Sequence, residues 1–274
     1  VVDGLRQGQG IALTRAELDN GLTVLVLEDH RLPRVTLAVT VRRGAGAVDP
    51  AQAGLAQLTA ELMNRGAGDR DALALAQTVD DLGASLSVRA GWDAMEVSVS
   101  GLAGDLDVLL EILHDVALAP RLDAGEAEKA RAEHLAGLQA ARDDPGTVAQ
   151  WLAMRVLYPG HRYGLPLDGT AETVAALDVD AARALHARYF VARNAILSVA
   201  GDVTVADVLR RARLAFGDWD PGVLPRDTPP PPEPTPAARR IVIGDEPSLV
   251  QARVIVAHEG ITRTDPRRTP ASVM

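Results

Sequence analysis

The stretch ELDNGLTVLVLEDH, residues 17–30, sets Asn20-Gly21 between two strand-like runs. Asn-Gly is the strongest short-range hairpin signal, because both residues of a tight two-residue turn need positive φ. The next run, RVTLAVTVRRGAG at 34–46, continues as an alternating strand. Beyond it GLAQLTAELMNRG at 54–66 changes period. Leu55, Leu58, Leu62 and Met63 fall at i, i+3, i+7 and i+8, which predicts the buried stripe of a helix over 51–65. Gln57 and Glu61 stand one turn apart on the adjoining face of that helix, with Ala60 beside them.

Outward from this core the pattern keeps changing. A helix is expected over 69–82 with Gly83 as its left-handed cap, then antiparallel strands ASLSVRAG (84–91) and AMEVSVSG (94–101). Helices follow at 104–117, 123–142 and 146–157, the second opening on the capping-box-like pair Asp123 and Glu126. NAILSVAGDV (194–203) reads as a buried strand, followed by a helix over 204–215. This irregular order predicts an α+β fold with an antiparallel sheet packed against helices, not a doubly wound parallel sheet.

The run PRDTPPPPEPTP at 225–236 predicts a stiff polyproline spacer. Past it a strand pattern reopens, and SLVQARVIVAHEGITRTDP (248–266) echoes PRVTLAVTVRRGAGAVDP (33–50) in strand, glycine and closing Asp-Pro. The expected organisation is a first domain at 11–224, a Pro-rich link at 225–237 and the start of a second homologous domain at 238–274. A piece that short does not ordinarily bury a core by itself.

Composition narrows the chemistry. Of 274 residues 47% are hydrophobic and only 3% aromatic, so the core must be aliphatic and stacking on rings is disfavoured. The formal charge is −9 with interleaved signs and Lys129 the sole lysine, which argues against nucleic acid and anionic membrane as partners. No cysteine is present, which excludes disulfides, thiolate metal sites and cysteine nucleophiles. The longest apolar run, LTVLVL at 22–27, is too short to span a bilayer. VVDGLRQGQG at the start lacks the basic and apolar regions of a signal peptide, which is expected to be absent or removed.

Local motifs add exclusions. The six histidines, at 30, 114, 134, 161, 186 and 258, include no pair three or four apart, so no local zinc pair exists. There is no Gly-x-Ser-x-Gly elbow, and the glycines of RRGAGAVDP and NRGAGDRD lack a P-loop lysine. Asp143, Asp144 and Pro145 read as a helix boundary, since a calcium loop needs alternating ligands and a closing Glu.

An ordered series nevertheless resembles one family. LDNGLTVLVLEDHRLPRV, GAGAVDPAQAGLAQLTAELMNRGAG, RDDP, YPGHRYGLPLDGT, ARYFVARNAILSVAGDVT, FGDW and the Pro-rich link before RRIVI together resemble the insulinase/pitrilysin zinc peptidases, in the two-domain processing-peptidase-like branch, over about residues 15–274. In that family this helix carries His-x-x-Glu-His, two zinc ligands and a general base, with a later Glu as third ligand. The resemblance places the first His at Gln57, the base at Ala60, the second His at Glu61 and the third ligand at Leu138. A neutral amide is a poor zinc ligand, a methyl group takes no proton, and leucine has no lone pair.

The resemblance therefore implies a non-catalytic chain without metal or cofactor of its own. Zinc is expected only in a sister subunit with an intact His-x-x-Glu-His, and this chain would close the chamber and help bind peptide substrate. Alternatives are a stand-alone peptidase using other residues and a peptide-binding scaffold without a peptidase partner. Glu61 and Arg131, the latter one to two turns before Leu138, form a candidate substitute ion pair. His134, one turn before Leu138, is a candidate to face the altered site, and His161 belongs to a structural loop signature. Bacterial relatives are often exported, so the expected compartment is the periplasm.

Overall fold

The computed structural model describes residues 3–7, 11–223, 240–245, 251–258, 260–262 and 265–272. In chain order the elements are β1 (Asp3–Gln7), β2 (Ile11–Glu17), β3 (Thr23–Glu28), β4 (Arg34–Val41), α1 (Leu55–Met63), β5 (Gly66–Ala67), β6 (Arg70–Asp71) and α2 (Ala72–Asp81). They continue with β7 (Ser85–Ala90), β8 (Met95–Leu102), α3 (Leu106–Leu118), α4 (Ala124–Arg142), α5 (Pro145–Leu157), α6 (Ala171–Ala175), α7 (Val179–Tyr189), β9 (Ala195–Gly201), α8 (Val205–Phe216) and α9 (Arg268–Ala271). Two compact units result, 1–138 with 167–228 and 139–166 with 229–274.

The first unit is built on a seven-stranded sheet in the order β1-β2-β3-β9-β4-β8-β7, and β5 and β6 form a separate two-stranded ribbon. The α+β class holds, but the sheet is not purely antiparallel. β9 runs parallel to β3 and antiparallel to β4. The reason is topological: β3 and β4 run in opposite directions, so any strand inserted between them must be parallel to one. All other neighbours in the sheet are antiparallel.

One face of the sheet carries the core. Val24 and Val26 of β3 pair with Leu197 and Val199 of β9, which align in turn with Val39 and Leu37 of β4 and, through β4, with Val97 and Val99 of β8. Against these buried side chains pack Leu109, Ile112 and Leu113 of α3, Leu58 and Leu62 of α1, and Phe216 of α8. Branched aliphatics on a period-2 face and leucines on a period-3.6 face form one continuous core, as the composition requires.

Where turns are local, the structure follows the sequence closely. Gly83 N–H bonds Asp80 O and Ala84 N–H bonds Val79 O, the paired hydrogen bonds of a Schellman cap on α2. Two expectations are corrected. The β2–β3 connection spans Leu18–Leu22, not two residues, and of Asn20 and Gly21 only Gly21 has positive φ, at +86°. The helix expected from residue 51 begins at Leu55, because Pro50–Gln52 closes a separate 3-10 turn capped by Asp49 and Gly54 turns left-handed at φ +95°.

In the second unit Asp144 caps α5, accepting from Thr147 N–H at 2.7 Å with Pro145 in the first turn, so the Asp-Asp-Pro stretch is a helix boundary. Buried His161 accepts from Tyr163 N–H through Nδ1 and sits edge-on to the Tyr163 ring at 4.7 Å, a structural role. The Pro-rich link at 225–237 lies outside the described residues. Among the described residues of 240–245 and 251–258 no strand ladder forms, and the strand-patterned Ile241, Ile243, Val254 and Val256 are exposed. Alternation alone makes no strand; a ladder needs a neighbour for its N–H and C=O groups.

Candidate functional site

The site forms where α1, the following residue Arg65, α4 and edge strand β7 meet. α1 is held by its leucine stripe, and its N-terminal end is fixed by close backbone approach. Asp168 O lies 2.7 Å from where a side chain on Gly54 would begin, and Thr173 Oγ1 donates to Ala53 O at 2.8 Å. α4 is capped by Asp123, whose carboxylate accepts from Gly125 and Glu126 N–H. The reciprocal half of the expected capping box is absent, because the Glu126 side chain turns to Lys129 and Arg65 instead.

Gln57 is half-buried on α1. Its Nε2 donates to Ala90 O, at the end of β7, at 3.2 Å, and its Oε1 is buried without a hydrogen-bond partner among the described residues. Ala60 and Leu138 are buried at 4% and 5% exposure. Glu61 is half-exposed and pairs with Arg65 at 2.6 Å. The Glu61–Arg131 pair expected from the sequence is replaced by this contact. Arg131 instead bonds Glu128 at 2.5 Å and Leu177 O at 3.0 Å, since its side chain leaves α4 on the side of its own i−3 neighbour. His134 is committed too: its Nε2 meets Asp168 O at 2.8 Å, and because a carbonyl only accepts, Nε2 carries the hydrogen.

Arg65 is the residue that sequence reasoning missed. Its Nη2 also lies 2.5 Å from Glu133, and its Nη1 lies 3.4 Å from Glu126. Burial works against its charge, but the hydrogen bonds it donates to Glu133 and Glu61 outweigh that and raise its pKa above the ordinary arginine range. The Lys129 ammonium and then the Arg65 guanidinium lower the pKa of Glu126. The i, i+4 spacing of Glu61 and Arg65 is legible in the sequence; the arrival of two glutamates from α4 is not.

These residues do not fit a zinc ion. Gln57 spends its amide on a backbone carbonyl, Glu61 is engaged by a guanidinium, and the two remaining positions are buried hydrocarbon. Among the described residues no three His, Cys, Asp or Glu side chains converge to hold a metal ion.

The family described as "Insulinase (Peptidase family M16)" matches residues 23–171, and "Peptidase M16 inactive domain" matches residues 176–274. This chain belongs to the insulinase family, peptidase family M16. An uncharacterized zinc protease of Streptomyces coelicolor is 23% identical over 95% of this chain and 57% of its own length. A non-peptidase homolog from Helicobacter pylori is 24% identical over 76% of this chain and 48% of its own. The solved peptidase M16 inactive domain from Pseudomonas fluorescens superposes with TM-score 0.74 at 25% identity, over 82% of this chain and 54% of that one. The chain thus spans about half the length of the relatives it matches.

Proposed function

We propose that this chain is the non-catalytic member of a two-chain insulinase-family peptidase, closing a peptide chamber and helping to bind peptide while a sister chain with an intact His-x-x-Glu-His supplies zinc and the general base. The observation that carries the reading is the state of α1: Gln57 bonded to Ala90 O, Ala60 buried and Glu61 paired with Arg65 leave neither a ligand set nor a base. The name of the Helicobacter homolog, non-peptidase, agrees with it.

Peptide binding has a physical route. Among the described residues β7 pairs only with β8 and ends the sheet, so its outer edge before Ala90 offers N–H and C=O groups to which an extended peptide can add as a further strand. The last residue of that edge, Ala90, is the one that Gln57 holds. In the same reading, residues 11–224 are the first domain, 225–237 its link, and 238–274 the opening of a second homologous domain, and the compartment is the bacterial periplasm.

The test mixes the full-length protein with its nearest zinc-bearing homologue from the same organism and follows cleavage of a fluorogenic peptide library. Cleavage only in the mixture supports the pairing. Chelator-sensitive cleavage by this chain alone would favour a stand-alone peptidase. Peptide binding without cleavage in any mixture would favour a scaffold.

A further inference from the structure

The open edge of β7 has a definite end. Gly91 N–H bonds Ala94 O, so Arg89, Ser87 and Ser85, which precede it two by two, turn their backbone groups toward β8. Leu86, Val88 and Ala90 turn theirs outward, and the Gln57 bond to Ala90 O shows that direction at the last of them. Leu86 and Val88 each present an N–H and a C=O along this edge, with no partner strand among the described residues. At Ala90 the pattern breaks. Its oxygen is taken by Gln57 Nε2 at 3.2 Å, and the other amide atom, Oε1, is buried and puts no acceptor in its place. The next two carbonyls, of Gly91 and Trp92, are held by Ala45 and Gly46 N–H at 2.8 Å each.

We propose that Gln57 is a stop for peptide added at β7, a residue that sets the register and length of the recognised segment. Its amide withholds the last outward carbonyl. An extended peptide then pairs along 86–90 through both groups of Leu86, both groups of Val88 and the N–H of Ala90, and gains no further backbone bond by continuing. A side chain at position 57 without a donor returns Ala90 O to the edge and lengthens the ladder by one bond. The inference rests on the edge binding of peptide proposed above, but it needs neither zinc nor a peptidase partner.

Binding by the full chain tests it, read as fluorescence anisotropy. The probe is a fluorescein-labelled heptapeptide of alternating valine and threonine with an arginine at each end, its charge chosen against the chain's −9. Single N-methyl groups are moved along the probe, each deleting one donor. With the unmodified chain two costly positions are expected, two residues apart, where the peptide N–H meets Leu86 O and Val88 O. With Gln57→Ala a third is expected two residues further on, and the unmethylated probe is expected to bind roughly 3- to 10-fold more tightly, the worth of one added hydrogen bond. Gln57→Met keeps the bulk without the donor and is expected to behave as Gln57→Ala does. A third costly position already present in the unmodified chain, or none gained in Gln57→Ala, overturns the stop while leaving the edge reading intact. Gln57→Met behaving as the unmodified chain would overturn the hydrogen bond as its cause. No saturable binding by any of the three proteins overturns the edge reading and the stop together.

Discussion

Gln57 Nε2 donates to Ala90 O at 3.2 Å, so the altered motif on α1 is tied to the end of the sheet's edge strand. The bond is modest, but its surroundings are not: the other amide atom, Oε1, is buried without a partner among the described residues. The first prediction follows from that asymmetry. Gln57→Met loses one hydrogen bond and also removes a buried unpaired acceptor, so it is expected within about 1 kcal/mol of the unmodified chain. Gln57→Glu sets a carboxylate against the Ala90 carbonyl and is expected to cost about 2 kcal/mol or more at pH 7, shrinking at pH 4 as the carboxyl protonates. Urea midpoints at the two pH values check it; a Gln57→Glu variant indifferent to pH would mean the side chain swings out to solvent.

Carboxylates at the two positions where the resemblance places the family's acidic residues should be costly, because both positions are buried hydrocarbon. Leu138→Glu places a carboxylate at a site 5% exposed on α4, and Ala60→Glu adds both bulk and charge at a site 4% exposed on α1. Each is expected to lower unfolding free energy by about 3 kcal/mol. Denaturant unfolding measures it directly, and no loss at either position would show that these two sites open readily to water.

How far the sequence disclosed this structure depended on the reach of each interaction. The Schellman cap at Gly83 and the Asp144 cap on α5 were legible, because every participant lies within a few residues. The i, i+4 spacing of Glu61 and Arg65 stands in the sequence but does not by itself single out Arg65, and Glu126 and Glu133 come from more than 60 residues away, where nothing local announces them. For the same reason β9 read correctly as a buried strand while its parallel pairing with β3, some 170 residues earlier, did not show. Asn20 failed differently: its turn propensity was real, but its side chain serves a distant contact.

That contact yields a third prediction. Buried Asn20 donates through Nδ2 to Phe216 O at 2.7 Å and Trp219 O at 3.1 Å, and its Oδ1 accepts from Leu22 N–H at 3.2 Å. It therefore joins the β2–β3 connection to the end of α8. Asn20→Ala strands these groups and is expected to cost about 2–3 kcal/mol. Gly21→Ala is expected to cost about 1–2 kcal/mol, since φ is +86° and the new methyl would start 2.7 Å from Arg193 Cγ. Thermal midpoints of the two variants rank them; an Asn20→Ala loss smaller than that of Gly21→Ala would contradict the hub role.

His186 on α7 sets an acid limit on stability. Its Nε2 donates to Ala117 O at 2.9 Å, and its ring stacks on Phe190 with centroids 4.5 Å apart. Burial lowers its pKa below the ordinary 6.5, against the opposing pull of that carbonyl. The unfolded chain then binds a proton at a higher pH than the folded one. Its contribution to stability is accordingly whole above about pH 6.5, and declines as pH falls from there through the lowered folded value. His186→Gln keeps a donor for Ala117 O but cannot titrate, so it is expected to lose less stability than the unmodified chain between pH 7.5 and pH 5. Urea unfolding of both proteins at the two pH values makes the comparison, and parallel losses would place the acid sensitivity in other groups.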